Sequence, residues 1–298
     1  MLMGCNGVNG ALHKSDKHKA HHTAKLQKKA AKLEYQAAEL LNQAKELRDR
    51  ANPTGGNTPR AQTKNSTRNT VDSVKGSGDT YLHATDVRYN CSTAGDGHFL
   101  DVTIGGNCST AGDAHFNDVT IDGNCSTAGD ASLKNVAIHG SLKTAGDATL
   151  DTVVADSAIH SGSVTMHNCE VRQNATMSGR AILVDTKIAS DMKLSGELKQ
   201  FENCSCNALQ LCPGNDSTTI LKSSTVSTIT VKHGTNWSFF GININIGNNC
   251  KKATIELDGT VVTGDIIFDD LAGRVIIRNG GQIAGQVIGG DIIYTVEK

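Results

Sequence analysis

Apolar and polar residues alternate through the middle of the chain in a pattern with a 17-residue period. The apolar positions of three successive units are Ala114, Phe116, Val119 and Ile121, then Ala131, Leu133, Val136 and Ile138, then Ala148, Leu150, Val153 and Ala155. Alternation with a period of two is typical of β-strands. The pattern therefore predicts short strands that recur at a fixed spacing.

A polar motif has the same spacing. The sequence Asn-Cys-Ser-Thr-Ala-Gly-Asp begins at Asn90, Asn107 and Asn124, and a degenerate copy begins at Ser141. A 17-residue unit is too short for two helices or for a propeller blade, but it fits one turn of a β-solenoid with glycine corners. We therefore expect residues 78–208 to form a parallel β-solenoid, with like residues stacked about 4.8 Å apart.

The repeat weakens after Gly146 but can be followed through Gly162, Gly179 and Gly196. Gly162 follows Gly146 by 16 positions instead of 17. This shorter interval predicts that one residue is lost at a corner of the coil.

The last third of the chain carries a longer repeat, with like residues 21 positions apart. Its two copies read Ile255, Gly259 and Gly264-Asp265-Ile266-Ile267, then Ile276, Gly280 and Gly285-Gln286-Val287-Ile288. We expect residues 209–298 to form a second solenoid part with longer coils. The Gly-Asp-Ile-Ile and Gly-Gln-Val-Ile strings resemble the polymer-forming β-helix family that includes bactofilins. This resemblance implies a right-handed β-helix and end-to-end assembly, although the N-terminal part of this chain is not typical of that family.

Leucines recur every seven residues near the N-terminus, and an alanine follows four residues after each. The series is Leu26, Ala30, Leu33, Ala37, Leu40, Ala44 and Leu47. This heptad predicts an α-helix whose narrow apolar seam packs against a partner. We favour self-association; packing on the solenoid as an end cap and a solvated spacer helix are the alternatives. Pro53 ends the helix, and the polar residues 52–77 are expected to form a flexible linker.

The first residues, Leu2-Met3-Gly4-Cys5, resemble the lipobox of bacterial lipoproteins, in which the cysteine becomes the acylated first residue of the mature chain. The resemblance implies that Cys5 anchors the protein to a membrane, most simply the outer membrane of the bacterial cell envelope. A complete secretory signal has an apolar run of about 7 to 15 residues before the cleavage site, so residues 1–5 would be a truncated signal. The alternative is an ordinary cytosolic start with a chance cysteine.

Charge divides the chain into two parts. Residues 1 to 75 carry 14 Lys and Arg against 6 Asp and Glu, whereas the remainder carries 15 against 24. The basic part suits an anionic surface. Nucleic acid is not expected as a partner, because Tyr35 is the only aromatic residue among the basic ones.

With Cys5 set aside, the other eight of the nine cysteines fall into two groups of four. Cys91, Cys108 and Cys125 occupy the phase that Leu142 fills in the next coil, and Cys169 aligns with Val153. These four are expected to be buried thiols, and a disulfide between coils is the alternative. The irregular group Cys204, Cys206, Cys212 and Cys250 is the candidate for disulfide bonding. A zinc site is the alternative for this group, but the group lacks a paired Cys-x-x-Cys, so no metal ligand is assigned.

Aspartates also recur in the repeat, as Asp96, Asp113, Asp130 and Asp147. We expect their carboxylates to accept backbone hydrogen bonds at a corner; binding of a divalent cation is the alternative. A polysaccharide-cleaving enzyme is the main rival function, since such enzymes use β-helices and carboxylate pairs. Catalysis needs a unique constellation, whereas this repeat supplies the same Asp in every coil, so no catalytic residue and no cofactor are expected.

The sequence as a whole predicts an all-β parallel β-solenoid of 17- to 21-residue coils, preceded by a basic segment with a heptad α-helix (6–51) and a flexible linker. The expected function is that of a non-catalytic cell-envelope lipoprotein, an elongated scaffold or adhesive rod that can serve an outer-membrane assembly. The alternatives are a cytosolic bactofilin-like polymer and a glycan-binding or glycan-cleaving β-helix. The expected partners are the membrane, a second copy of the chain, and an unidentified envelope protein or glycan.

Overall fold

The computed structural model describes residues 68–213, 217–232, 236–239, 242–245, 252–269 and 272–295, together with seven residues from Lys29 to Leu40. The described chain is a parallel β-solenoid of about 12 turns with almost no helix. This confirms the predicted all-β solenoid. The seven described N-terminal residues are helical, and the remainder of the predicted heptad helix lies outside the described residues.

The described residues form 27 strands. Those up to residue 160 are β1 Asn69–Val71, β2 Val74–Gly76, β3 Thr80–Val87, β4 Cys91–Thr93, β5 Gly97–Ile104, β6 Cys108–Thr110, β7 Ala114–Ile121, β8 Cys125–Thr127, β9 Ala131–Thr144 and β10 Ala148–His160. Those that follow are β11 Val164–His167, β12 Glu170–Val171, β13 Ala175–Val184, β14 Lys187–Ile188, β15 Met192–Glu202, β16 Ser205–Cys212, β17 Ser217–Lys222, β18 Thr225–Lys232, β19 Asn236–Phe239, β20 Ile242–Asn245, β21 Lys252–Asp258, β22 Val261–Val262, β23 Ile266–Asp269, β24 Ala272–Arg278, β25 Gln282–Ile283, β26 Val287–Ile288 and β27 Gly290–Tyr294.

Each coil has three sides, and residues 97–113 show the plan. Strand β5 supplies two sides, separated by Asp101, whose φ of 53° lies in the left-handed region. Strand β6 supplies the third side, and short corners at 105–107 and 111–113 complete the turn. Every side pairs in parallel with the equivalent side of the next coil, 17 positions later, as Phe99 does with Phe116.

This register stacks identical side chains in the interior. The rings of Phe99 and Phe116 lie parallel, with their centroids 4.5 Å apart. Cys108 pairs with Cys125 in the same way on the third side. Because inward residues alternate with outward ones, the interior is one continuous apolar column along the axis.

Two coils differ by one residue from the 17-residue length, and their apolar residues still point into the core. The register shifts between Ala155 and Ser157, so that Ala158 pairs with Leu142, 16 positions earlier. This confirms the residue that was predicted to be lost at a corner. One residue is gained near Lys199, where the register shifts between Ala181 and Ile182.

The C-terminal coils are less regular. Pairing of Ile266 with Val287 confirms the 21-residue spacing on one side. On another side Ile255 pairs with Val275, 20 positions later, and not with the expected Ile276. The extra residue lies at the corner formed by Asn279 and Gly280, where both φ angles are positive. The antiparallel pair β19 and β20 interrupts the preceding coil.

Two predicted boundaries differ from the structure. Strands β1 and β2 lie within the segment 52–77 assigned to a linker, and they pair with β3 and β4 as the first coil. The sequence concealed this coil because its apolar residues are few, and Arg68 closes it by bridging Asp86 and Asp101. The boundary at residues 208 and 209 falls inside β16, so the two solenoid parts are continuous.

Candidate functional site

The repeated aspartates form one corner of the solenoid and bind the backbone of the next coil. Oδ1 of Asp96 accepts a hydrogen bond from the backbone N–H of Asp113 at 2.9 Å, and Asp113 accepts one from Asp130 at 2.9 Å. The series continues through Asp147 to the N–H of Ser163. The predicted turn role of these carboxylates is confirmed, and each carboxylate is engaged in holding two coils together.

A second corner carries an equivalent series of amides. Oδ1 of Asn90 accepts the N–H of Asn107, and Oδ1 of Asn107 accepts the N–H of Asn124, each at 2.8 Å. In both series the residue before each N–H donor is glycine, for a steric reason. A Cβ at Gly123 would overlap Oδ1 of Asn107, and a Cβ at Gly129 would overlap Oδ1 of Asp113.

The third corner consists of residues in the left-handed backbone region, and the sequence reasoning missed it. These residues are Ala84, Asp101, Asp118, Asn135, Thr152, Asn168, Asp185, Asn203, Ser223 and Asn279. Asn and Asp tolerate positive φ better than other residues that carry a Cβ. Their recurrence directly before the second side of each coil was the signal available in the sequence.

The interior cysteines are buried thiols, as predicted. Cys91, Cys108 and Cys125 stack in register and are free. Hydrogen bonding with Cys125 and Cys91, together with burial, raises the pKa of the Cys108 thiol well above its ordinary value. Burial also raises the pKa of Cys169 to about 11. Since the thiolate is the reactive form, these side chains are poor nucleophiles and act as small apolar residues.

Three of the four cysteines proposed for disulfide bonding lie in or beside strand β16. Cys204, Cys206 and Cys212 are buried free thiols. Burial raises the pKa of Cys204 to about 11 and that of Cys206 to about 12. Their inward positions assign them to the core. A disulfide with Cys250 stays a prediction, because Cys250 lies outside the described residues.

A histidine side chain is also sealed inside the solenoid. His160 pairs with Thr144 of the preceding coil, and Nδ1 of His160 lies 2.6 Å from Oγ1 of Thr144. Burial lowers the pKa of His160 to about 4. The imidazole is therefore neutral at pH 7, and its closed surroundings give no access to a substrate.

The predicted anchor and oligomerisation residues are only partly described. Leu33 and Leu40 are 56% and 66% exposed, and Ala37 is exposed as well. The other residues assigned to these roles lie outside the described residues. They are Cys5, Leu26, Ala30, Ala44 and Leu47.

An aromatic column lies on the outside of the first coils. It consists of Tyr81, His98 and His115, which occupy the same outward position of three successive coils. The rings of Tyr81 and His98 stack at 4.6 Å, and those of His98 and His115 at 4.9 Å. Tyr35 of the N-terminal helical residues meets this column edge-on, 5.5 Å from the His98 ring. Sequence analysis did not connect these residues, because His115 is the only repeat of His98.

At the C-terminal end, the described residues include a strand with one unpaired edge and a cleft. The last strand, β27, pairs on one side with β24, and Tyr294 is 73% exposed. A cleft of about 300 Å³ nearby is lined by Lys252, Ala253, Thr254, Ala272, Gly273, Arg274 and Asp291. The Phe268 ring lies against Gly273 of this lining, where it would overlap an added Cβ.

Within the described ranges, no group of three or more His, Cys, Asp or Glu side chains is placed to hold a metal ion. No helix among the described residues is long and apolar enough to span a membrane. No family model matches the sequence, and no curated protein or solved structure matches the chain.

Proposed function

We propose that this protein is a non-catalytic rod of the bacterial cell envelope, which serves as a scaffold or an adhesive spacer. The observation that carries the proposal is that the repeated polar side chains bind the backbone of the neighbouring coil. The Asp and Asn residues of two corners bind the next coil and leave no asymmetric group of reactive side chains in the regular coils that the structure describes. Such coils give length and stiffness, not a pocket.

The dimensions suit a spacer. About 12 turns, each adding roughly 4.8 Å, make a rod of roughly 58 Å. The lipobox-like Leu2-Met3-Gly4-Cys5 supports attachment at the N-terminal end of the rod, and the heptad residues support association of several rods. The basic residues among the first 75 favour contact with anionic head groups.

The lipid anchor is tested by metabolic labelling with a palmitate analogue in the native host. The parent chain should take up label and fractionate with membranes, and Cys5→Ala should abolish both. The matched control is Cys91→Ala, because Ala158 already occupies the same interior column. An unlabelled parent chain that stays in the cytosolic fraction would remove the envelope part of the proposal.

A cytosolic polymer is the second candidate, and the open C-terminal strand favours it. Strand β27 leaves one edge unpaired among the described residues, and Ile292 on it is 42% exposed. The N–H of Thr295 donates to Ile277 of β24, so by alternation along the strand the N–H of Ile292 points to the open edge. Proline at this position removes an edge donor and spares the pairing with β24, so Ile292→Pro should block strand addition. Filaments of the full chain in electron micrographs that disappear in Ile292→Pro would favour the polymer over the anchored rod.

A further inference from the structure

The described helical residues contact the solenoid through one face. The Tyr35 ring lies edge-on to Tyr81 at 6.2 Å and to His98 at 5.5 Å. Nζ of Lys32 lies over the Tyr81 ring, 5.8 Å from its centroid. Lys32 and Tyr35 are three positions apart, so they lie on the same face of a helix.

The aromatic column is built to receive this face. Tyr81, His98 and His115 are half-buried and stacked nearly parallel, so their outer edges form a flat surface. Burial and the nearby His115 lower the pKa of His98, against the opposing effects of Asp96 and Asp79, and Lys32 lowers it further. The His98 ring at the centre of the column is therefore largely uncharged at pH 7, which suits an aromatic contact.

The described residues of the leucine and alanine seam, Leu33, Ala37 and Leu40, face the other way. Tyr35 follows Leu33 by two positions, which places it about 200° around the helix from the seam. The exposure of Leu33 and Leu40 agrees with this placement, since both side chains point away from the solenoid. The contact with the solenoid therefore leaves the seam without a partner among the described residues.

We propose that the aromatic column docks the N-terminal helix through Tyr35, and that this docking presents the outward seam to the same helix of a second copy. The inference rests on the oligomerisation included in the proposed function and assigns its geometry. A seam of alternating Ala and Leu is self-complementary. With the leucines at heptad position d, a parallel pair also sets Lys29 opposite Glu34 of the other copy.

The consequence is a dimer in which two rods lie side by side. Each helix has its Tyr35 face on its own solenoid and its Leu33 face on the other helix. Parallel pairing brings both N-terminal ends together, as two lipid anchors in one membrane require.

The test uses the full-length chain carrying Cys5→Ser, so that it can be purified without lipid. Hydroxyl-radical labelling of Tyr81 and His98, read by peptide mass spectrometry, reports docking, and sedimentation equilibrium reports pairing. Tyr35→Ala should raise the labelling of Tyr81 and His98 about threefold and leave the dimer intact. Tyr89→Ala is the matched control: Tyr89 is 62% exposed at a corner and should change neither readout.

The complementary variant is Leu33→Asn with Leu40→Asn, which should convert the dimer to monomers and leave Tyr81 and His98 protected. Unchanged labelling in Tyr35→Ala would overturn the docking, and so would exposure of Tyr81 in the double leucine variant. A monomeric parent chain would overturn the pairing, and the oligomerisation in the proposed function with it. Whether the chain is a monomer or a dimer, the labelling of Tyr81 and His98 tests the docking separately.

Discussion

The regular coils of residues 80–155 and the C-terminal coils after residue 217 are built on the same three-sided plan but use it differently. In the regular coils every residue pairs with one 17 positions away, so that acceptor side chains continue from coil to coil. In the C-terminal coils the offset is 36 positions at Thr225 and 20 at Ile255. Among the described residues of these coils, the corner bonding is reduced to a single bond from the N–H of Gln286 to Oδ1 of Asp265.

The comparison separates what the fold needs from what repetition adds. Both regions keep inward apolar residues in phase, so the apolar column is the requirement of the fold. Continuous Asp and Asn corners occur where the coil length is constant. We therefore expect substitutions at these corners to be costly in the regular coils and mild in the C-terminal coils.

The largest difference is expected for Gly→Ala at two corners. A Cβ at Gly129 would overlap Oδ1 of Asp113 and lie 2.8 Å from the backbone of Gly112. Gly129→Ala should therefore lower the free energy of unfolding by about 3 to 4 kcal/mol. A Cβ at Gly280 would have no heavy atom within 4 Å, but φ is 77° there, a value that favours glycine. Gly280→Ala should therefore lower the free energy of unfolding by about 1 kcal/mol. Denaturant titration followed by circular dichroism measures both; equal losses would contradict the role assigned to the corners.

A pH effect is expected from His160, which pairs with Thr144 just after the shortened corner. The folded state keeps His160 neutral down to its pKa of about 4, whereas the unfolded chain binds the proton near pH 6.5. Stability should therefore fall by about 3 kcal/mol as the pH decreases from 6.5 to 4.

The control for this pH effect is His160→Met, because Met177 occupies the same position in the next coil. The slopes of stability against pH are compared, since Thr144 loses its partner in the variant at every pH. Identical slopes for the two chains would show that His160 is not held neutral by burial.

The smallest difference is expected at the acceptor carboxylates. Asp113→Ala removes a backbone acceptor and should cost about 1 to 2 kcal/mol. Asp113→Asn keeps the acceptor and removes repulsion from the stacked Asp96 and Asp130, so it should gain up to about 1 kcal/mol. Asp265→Asn, which has no stacked carboxylate, should be neutral. Thermal melts with and without EDTA complete the test, and loss of stability with EDTA would favour a bound cation over the turn role.

The sequence was sufficient for the regular coils and for the thiols inside them. Identical residues at a constant spacing have one way to stack, so Cys108 and Phe116 could be assigned to the interior from phase alone. The first coil could not be found in this way. Its strands β1 and β2 are held by backbone pairing and by Arg68, neither of which leaves an apolar pattern.

The surface features were harder to predict than the core. The aromatic column forms because outward residues of successive coils stack. Tyr81 and His98 are different residue types, so the sequence repeat does not mark them as neighbours. Its contact with Tyr35 joins segments far apart along the chain, and no local pattern reports such a contact. The left-handed corner was visible as Asp and Asn before each second side, but turn residues of this kind occur at several corners.

Removal of one coil tests the central claim, that the regular coils are interchangeable units in building the rod. Deletion of Phe99–His115 removes one full 17-residue period and joins His98 to Phe116, whereas deletion of Phe99–Ala114 is one residue shorter and reverses the alternation in that strand. The full-period deletion should unfold cooperatively, with a Tm within about 5 °C of the parent chain, and should remain membrane-associated. A full-period deletion that loses cooperative unfolding, or that is no more stable than the shorter deletion, would contradict the account.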